Sequence, residues 1–458
     1  MKTKSLLLAA FLFGLQSQGA DYASIRDGSW FVPTNTWSPP TLPTTGDNVS
    51  IFHSVSFNSS SSDQSVTIGN LNLTGAHLFL SGPANLMVGG SASVFSEDNY
   101  VGGLLVNQGT VFQNGSGLFV VDDYSSFRNL PGSVYAFVGD GSMMVHSQYF
   151  STFENYGLLR KSAGNGVSTI TNNLNNLGGT VQVDSGTLRL YGAGTSSNGI
   201  FTVAAGASLD LTGGNNPTWA GRVRGGGAGT VSLNGGTLNG SPDLTLDLPG
   251  RLFQWTGGTI SGLTTNVNSI TVAGSGSVYQ AGTLDNSGLI RLTNTPIFVV
   301  NNYSYFRNLA DGISDFAGDG GMLIHSEYYS DFDNYGLLRK SAGNGVSAIT
   351  GSLNNLGGAL EVNMGTLQIP TYVQGGGALT IRLGGPDPGQ AGLLAVNGTA
   401  SLNGPLTVTL ANAFTPSFGI SPAGNCTRQA VNVGRSANPK QLFEECARRE
   451  GTCRDVVR

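Results

Sequence analysis

Residues 166–194 read GVSTITNNLNNLGGTVQVDSGTLRLYGAG, and this stretch contains the pattern that decides the fold. Its short runs TVQV and TLRL alternate apolar and polar residues, which is typical of strands that bury one side. Gly, Asn and Asp-Ser groups between the runs predict turns. Runs this short cannot form a core alone, but coils stacked on one another can share a continuous core.

The pattern therefore predicts an all-β chain that winds as a single-stranded, right-handed parallel β-helix, which is one form of β-solenoid. Val, Leu, Ile and Phe would point inward, and Thr, Ser, Gln and Asn outward. Turn asparagines, as in NNLNNLGG at 172–179, can stack their amides from coil to coil. An array of β-sandwiches is the alternative, but the closely spaced turn signals leave little room for Greek-key connections.

A block of the chain occurs twice. Residues 118–190 align without a gap with residues 297–369, and 45 of the 73 aligned positions are identical. Within the block, NYGLLRKSAGNGVS is repeated letter for letter at 155–168 and 334–347. Each copy is thus either a structural module or a repeated binding or active site.

The N-terminal sequence predicts export. Lys2 and Lys4 precede an apolar run, and small residues follow it, so residues 1–20 are interpreted as a signal peptide. No later apolar run is long enough to span a bilayer. We expect no membrane span after signal removal, and a secreted or cell-surface location.

Residues 21–65 are interpreted as an N-terminal cap, because the open end of a solenoid must be covered. They contain Trp30, Trp37 and a proline cluster. A sugar-binding platform is one function for these tryptophans, but burial in the cap is the interpretation that we favour. The solenoid itself is expected to span residues 66–419.

Residues 420–458 form an atypical, charged tail that does not continue the strand pattern. All three cysteines lie there, at Cys426, Cys446 and Cys453, so the main body is not held by disulfides. Two origins remain open for the tail: a frameshift or foreign fusion near Ser421, or a natural cysteine-bearing cap.

The amino-acid composition limits the classes of binding partner that we expect. Of 458 residues, 69 are Gly, only 11% are charged, and the formal net charge is −5. A basic patch with interleaved aromatic residues is missing from the sequence, which disfavours nucleic acid. Low charge is compatible with a cell-surface or matrix polysaccharide as partner. Oligomeric state cannot be read from the sequence.

Several stretches carry a family resemblance. The opening W…W…P…GDNVSIF, and later NNLGGTVQVDSGTLRL and GLLAVNGTASLNGPLTVTL, resemble secreted bacterial β-solenoid proteins of the autotransporter-passenger type. The resemblance covers roughly residues 28–419. It implies a long extracellular stalk or adhesive fibre, and it brings no catalytic residues with it.

The alternative to a structural or adhesive protein is a carbohydrate-active enzyme. Some parallel β-helix proteins are polysaccharide lyases or glycoside hydrolases, which work in a groove on the side wall. The duplicated block holds most of the candidate groups. In the second copy, however, Asn301 and Asn302 replace Asp122 and Asp123, and a neutral amide cannot act as a general base. We therefore expect no catalytic activity, no cofactor and no metal.

A ligand patch is the more plausible site. Exposed tyrosines beside the Arg-Lys pairs, which we interpret as a solvated outer face, could grip a glycan. The candidate residues are Tyr149, Tyr156, Arg160 and Lys161 in the first copy and Tyr328, Tyr335, Arg339 and Lys340 in the second. The favoured prediction is a secreted or cell-surface structural or adhesive β-solenoid.

Overall fold

The computed structural model describes residues 19–58, 64–81, 85–95, 97–122, 124–145, 151–325, 329–385 and 388–415. In this part the chain is a parallel β-solenoid, which confirms the predicted fold class. Each coil contributes strands to three faces, and each strand pairs in parallel with the equivalent strands of the neighbouring coils. The described helices are short: an α-helix at Pro33–Thr36 and a 3-10 helix at Pro388–Gln390.

The first face is one ladder that runs the length of the described chain. Its strands are Gly28–Ser29, Ser54–Asn58, His77–Ser81, Asn99–Gly102, Leu118–Val121, Ser142–Val145, Val167–Ile170, Thr187–Leu190, Ser208–Asp210, Thr230–Leu233, Phe253–Trp255, Ser269–Val272, Leu289–Leu292, Ile313–Phe316, Leu337–Lys340, Ala359–Val362, Leu379–Leu383 and Leu406–Leu410.

The second and third faces follow the first in each coil. Strands of the second face are Val66–Ile68, Leu86–Val88, Leu104–Asn107, Ser126–Asn129, Thr152–Asn155, Asn173–Leu177, Thr195–Ser197, Ile297–Val300, Gly321–Ile324, Val346–Thr350, Gly365–Ile369 and Gly392–Val396. Strands of the third face are Asp21–Ser24, Asn48–Ile51, Asn70–Leu73, Ser91–Val94, Thr110–Gln113, Val134–Phe137, Leu158–Lys161, Thr180–Val183, Ile200–Val203, Tyr305–Asn308, Asp331–Asn334 and Leu353–Asn355.

In the middle of the rod, four longer strands run through the corner between the second and third faces. They are Thr218–Gly226, Thr237–Asp247, Thr259–Asn266 and Ser277–Asn286. The remaining short strands are Trp37–Ser38, which pairs antiparallel with Asp21–Ser24, and Tyr372–Val373 and Ala400–Ser401, which pair with each other.

The two copies of the duplicated block start on different faces. The first copy begins at Leu118–Val121 on the first face, and the second begins at Ile297–Val300 on the second face. Strand Ser277–Asn286 runs just before the second copy and pairs with its first two strands, Ile297–Val300 on the second face and Tyr305–Asn308 on the third. The second copy is therefore turned by one face about the rod axis. It lies about eight coils further along, which is about 40 Å at roughly 4.8 Å per coil.

The core follows the predicted alternation. In Thr180–Val183, Val181 and Val183 are fully buried while the other two residues are half-buried. Inward aromatic rings also meet across coils: Phe127 and Phe153 lie 5.3 Å apart, centroid to centroid. Because the neighbouring coil covers each inward side chain, the short strands share one continuous hydrophobic core.

The N-terminal end is covered by its two tryptophans. Trp30 and Trp37 are buried, with ring centroids 5.0 Å apart in an edge-to-face arrangement, and the Trp37 indole N–H donates to the Trp30 carbonyl. Their predicted burial is confirmed. Coil pairing starts at Asp21–Ser24, which pairs in parallel with Asn48–Ile51, so the first strands lie before residue 66.

Buried asparagines stack along the rod, as the sequence predicts. Each side-chain N–H₂ donates to the next asparagine's side-chain oxygen at 2.7–2.8 Å. One ladder contains Asn107, Asn129, Asn155 and Asn176, and the other contains Asn266, Asn286, Asn308, Asn334 and Asn355. The first follows the second face and the other the third, in keeping with the turn between the copies.

Breaking a ladder should cost more than removing a neighbouring outward amide. Asn176→Ala should lower the free energy of unfolding by about 1–3 kcal/mol, because it leaves the buried Asn155 amide N–H without its acceptor. Asn175→Ala, which changes a side chain on the outer surface, should cost less than about 1 kcal/mol. Urea unfolding followed by circular dichroism compares the two; equal losses would contradict the ladder's role.

Candidate functional site

The Lys161 side chain of the repeated stretch is fully buried and closes a corner of the rod. Its ammonium lies within hydrogen-bond distance of four oxygen atoms. These are Gly139 O at 2.9 Å, Asp140 Oδ1 at 2.8 Å, Ala163 O at 3.2 Å and Ser168 Oγ at 3.1 Å. The first two belong to the GDG turn of the preceding coil, so the lysine fastens one coil to the next. We call this arrangement the lysine clamp.

The second copy reproduces the lysine clamp. Lys340 is fully buried, and its Nζ lies 3.0 Å from Gly318 O, 3.0 Å from Asp319 Oδ1 and 3.1 Å from both Ala342 O and Ser347 Oγ. The prediction that these lysines lie on a solvated outer face is therefore wrong. Lys161 and Lys340 point inward because each follows an inward leucine by two positions on its strand.

Electrostatics agree with this geometry. The hydrogen bond from Lys161 holds the pKa of the Asp140 carboxyl below its ordinary value, and the Gly166 backbone N–H acts in the same direction. Burial lowers the pKa of Lys340, although Asp319 partly opposes that shift. The side chain of Asp140 is 41% exposed, so each clamp joins a buried cation to a half-exposed anion.

The arginines beside the lysines do face outward, but they are paired. Arg160 Nε lies 2.5 Å from Asp184 on the next coil, and Arg339 lies 3.1 Å from Asp315 on the preceding coil. Asp315 is only 2% exposed because Arg339 covers it on one side and Arg291, at 3.8 Å, on the other. The hydrogen bond to Asp315 also raises the pKa of Arg339.

Arginines at a second pair of equivalent positions are also bound by a carboxylate on an adjacent coil. Arg128 is 2.6 Å from Glu154 on the next coil, whereas its counterpart Arg307 is 2.6 Å from Asp285 on the preceding coil. In both cases the pair raises the arginine pKa. Arg307 has changed partner because Asp285 stands where the first copy has Val106.

The proposed ligand patch is only partly assembled. Tyr335 is 42% exposed and Tyr156 is half-buried, but the lysines predicted to lie beside them are inside the rod. Tyr149 and Tyr328 lie outside the described residues, as do the three cysteines and the tail. A glycan site built on these tyrosines stays a prediction.

The structure also shows three exposed tyrosines that the predicted ligand patch does not include. Tyr124, Tyr303 and Tyr329 have φ angles of 55°, 58° and 54°, the left-handed region, and are 73%, 64% and 80% exposed. A buried serine follows each of them. The repeated Tyr-Ser pair, at 124–125, 303–304 and 329–330, is the sequence signal that could have found them.

An open groove of about 770 Å³ lies near the N-terminal end of the described chain, lined by Asp21, Asn48, Asn70 and other residues. These three side chains bond to one another in a row, at 2.7 Å each. Among the described residues, histidine and acidic side chains do not gather in groups of three or more that could hold a metal. Helices long and apolar enough to cross a membrane are likewise missing from that part.

Comparison with protein-family models, curated proteins and solved structures finds no match to this chain.

Removing a clamp lysine should destabilise the rod. Lys161→Met should cost about 1–3 kcal/mol of unfolding free energy, because Asp140, Ser168 and the half-buried carbonyls of Gly139 and Ala163 lose the ammonium as a donor. Arg160→Met, one residue away, removes only a partly exposed ion pair and should cost at most about 1 kcal/mol. Thermal and urea unfolding of both variants checks the difference; an arginine variant as damaged as the lysine variant would contradict the clamp.

The clamp also predicts an acid dependence. Since folding lowers the pKa of Asp140, its ionised form stabilises the fold above the ordinary value of 3.8, and this contribution is lost as the pH falls through the lowered pKa. Asp140→Asn should be less stable than the wild type at neutral pH, and the two stability curves should converge in acid. Curves that stay parallel between about pH 6 and 2 would refute this.

Proposed function

We propose that this chain is an exported structural β-solenoid that acts as a stalk or scaffold at the cell surface or in an extracellular matrix, without catalysis of its own. The supporting observation is the lysine clamp, present twice with the same contacts. The most closely repeated stretch of the sequence thereby has a structural use: it fastens successive coils. Export is supported by the sequence of residues 1–20.

Charged groups that an enzyme would need are engaged in coil-to-coil contacts. Asp140 and Asp319 bind the clamp lysines, and Glu154 binds Arg128. A general base must be able to reach a substrate proton, and these carboxylates are already bound by a cation on the adjacent coil. These contacts favour the scaffold over the alternative of a polysaccharide lyase or glycoside hydrolase.

Export can be tested directly. The full chain and a variant lacking residues 1–20, each with an epitope tag, are produced in a bacterial host and followed by cell fractionation and mass spectrometry. We expect the full chain outside the cytoplasm with its N-terminus at Asp21, and the truncated chain in the cytoplasm. An uncleaved full chain that remains in the cytoplasm would sink the proposal.

The enzyme alternative is tested on the same purified protein. Incubation with polygalacturonate, alginate, xylan and a soluble glucan is followed by assays for new reducing ends and unsaturated products. We expect none. Activity that disappears in Asp319→Asn but not in Asp140→Asn would instead identify the second copy as an active site.

A further inference from the structure

The exposed tyrosines of the second copy occupy one corner of the rod on successive coils. Tyr305 pairs with Asp331 across the third face, which places Tyr303 and Tyr329 at equivalent positions just before these residues. Adjacent coils are about 4.8 Å apart, close to the length of one sugar ring in an extended chain. Tyr305, 42% exposed, lies on the wall next to the corner.

The buried serines hold these corners in place. Ser330 Oγ donates to Asn301 O at 2.7 Å, and the Ser304 backbone N–H donates to Ser330 Oγ at 3.3 Å. Because each serine points inward, the preceding tyrosine points into solvent.

A tyrosine at these positions strains the backbone. Bulky residues seldom adopt a positive φ, whereas Gly and Asn do so with little strain. The same backbone conformation recurs at Tyr124, Tyr303 and Tyr329. Strained residues of this kind concentrate at functional sites. An exposed tyrosine at a position where Asn would be less strained therefore indicates a role for the ring itself.

The charges around the corner select the kind of ligand. Outward positions next to Tyr305 hold one cation, Arg307, and three carboxylates, Asp285, Asp331 and Asp333. Arg307 is already bound by Asp285 through two hydrogen bonds, at 2.6 and 2.7 Å. An anionic glycan would therefore be repelled, whereas carboxylates can accept hydrogen bonds from neutral sugar hydroxyls.

From these observations we infer that Tyr303, Tyr305 and Tyr329 form a binding site for a neutral polysaccharide, whose chain lies along the rod axis with its sugar rings on the tyrosine faces. The inference rests on the extracellular role proposed above. The first copy is a natural comparison, because Ser126 and Thr152 stand where the second copy has Tyr305 and Asp331. The first copy lacks the wall tyrosine, so the binding site is assigned to the second copy alone.

Native affinity electrophoresis of the full chain tests the site, with hydroxyethyl cellulose and galactomannan as neutral probes and polygalacturonate as the acidic one. The double variant Tyr303→Asn/Tyr329→Asn is compared with Tyr124→Asn, which makes the same change at the same φ in the first copy. We expect a neutral probe to retard the wild type and Tyr124→Asn. The double variant should bind at least about tenfold more weakly.

Stability separates binding from folding. Asn is used as the replacement because it adopts the left-handed region readily, and thermal melting with circular dichroism shows whether each variant stays folded. Tyr305→Ser, which installs the residue of the first copy at an ordinary strand position, should also weaken binding while the rod stays folded.

Three outcomes would overturn the inference: no retardation of the wild type by either neutral probe, equal weakening by Tyr124→Asn and the double variant, or stronger retardation by polygalacturonate. Each would remove the polysaccharide site and leave the structural role intact, because cell fractionation tests that role separately.

Discussion

A polar side chain that points into this rod can be satisfied only by its own coil or by the coil next to it. A coil is one strand thick, so its inward amides, hydroxyls and ammonium groups have no other neighbours. The asparagine ladders, the corner serines and the lysine clamps all meet this constraint with hydrogen bonds between positions 20 to 29 residues apart. Buried polar groups left unpaired cost more than a paired group gains, so these contacts fix the register of the coils.

The same constraint explains why the duplicated unit is long. A single coil copied elsewhere would carry Lys161 without Asp140, or Asn155 without the ladder neighbours on either side. The block 118–190 contains the whole clamp and three consecutive ladder asparagines, so its inward contacts remain complete after copying. The clamp and ladder contacts are the same in both copies, whereas Arg160 and Arg128 pair with the next coil and their counterparts with the preceding one. Exposed ion pairs contribute little, so they can change partner without loss of the fold.

Much of the fold could be predicted from the sequence, and the features that could not be predicted have physical reasons. Alternation in TVQV predicts the inward valines, and NNLNNLGG predicts the amide ladder. The same alternation in LLRK places Lys161 on the side of Leu159, yet charge argues for solvent, and only the position of the GDG turn one coil away decides between them. The number of residues per coil varies, so sequence spacing could not show that the copies start on different faces. Sequence spacing also could not place Tyr303 and Tyr329 side by side on adjacent coils, although the repeated Tyr-Ser pair marks both positions.

The second copy is rotated by one face about the rod axis, and this rotation limits the surfaces that both copies can contact together. Tyr124 lies at the corner between the first and second faces, and Tyr303 at the corner between the second and third. A flat surface touching one corner would leave the other pointing away. The two exposed tyrosine corners lie about 40 Å apart and face different directions, so they cannot both lie against one plane. Duplication of the block therefore does not double the contact that the rod can make with one flat surface.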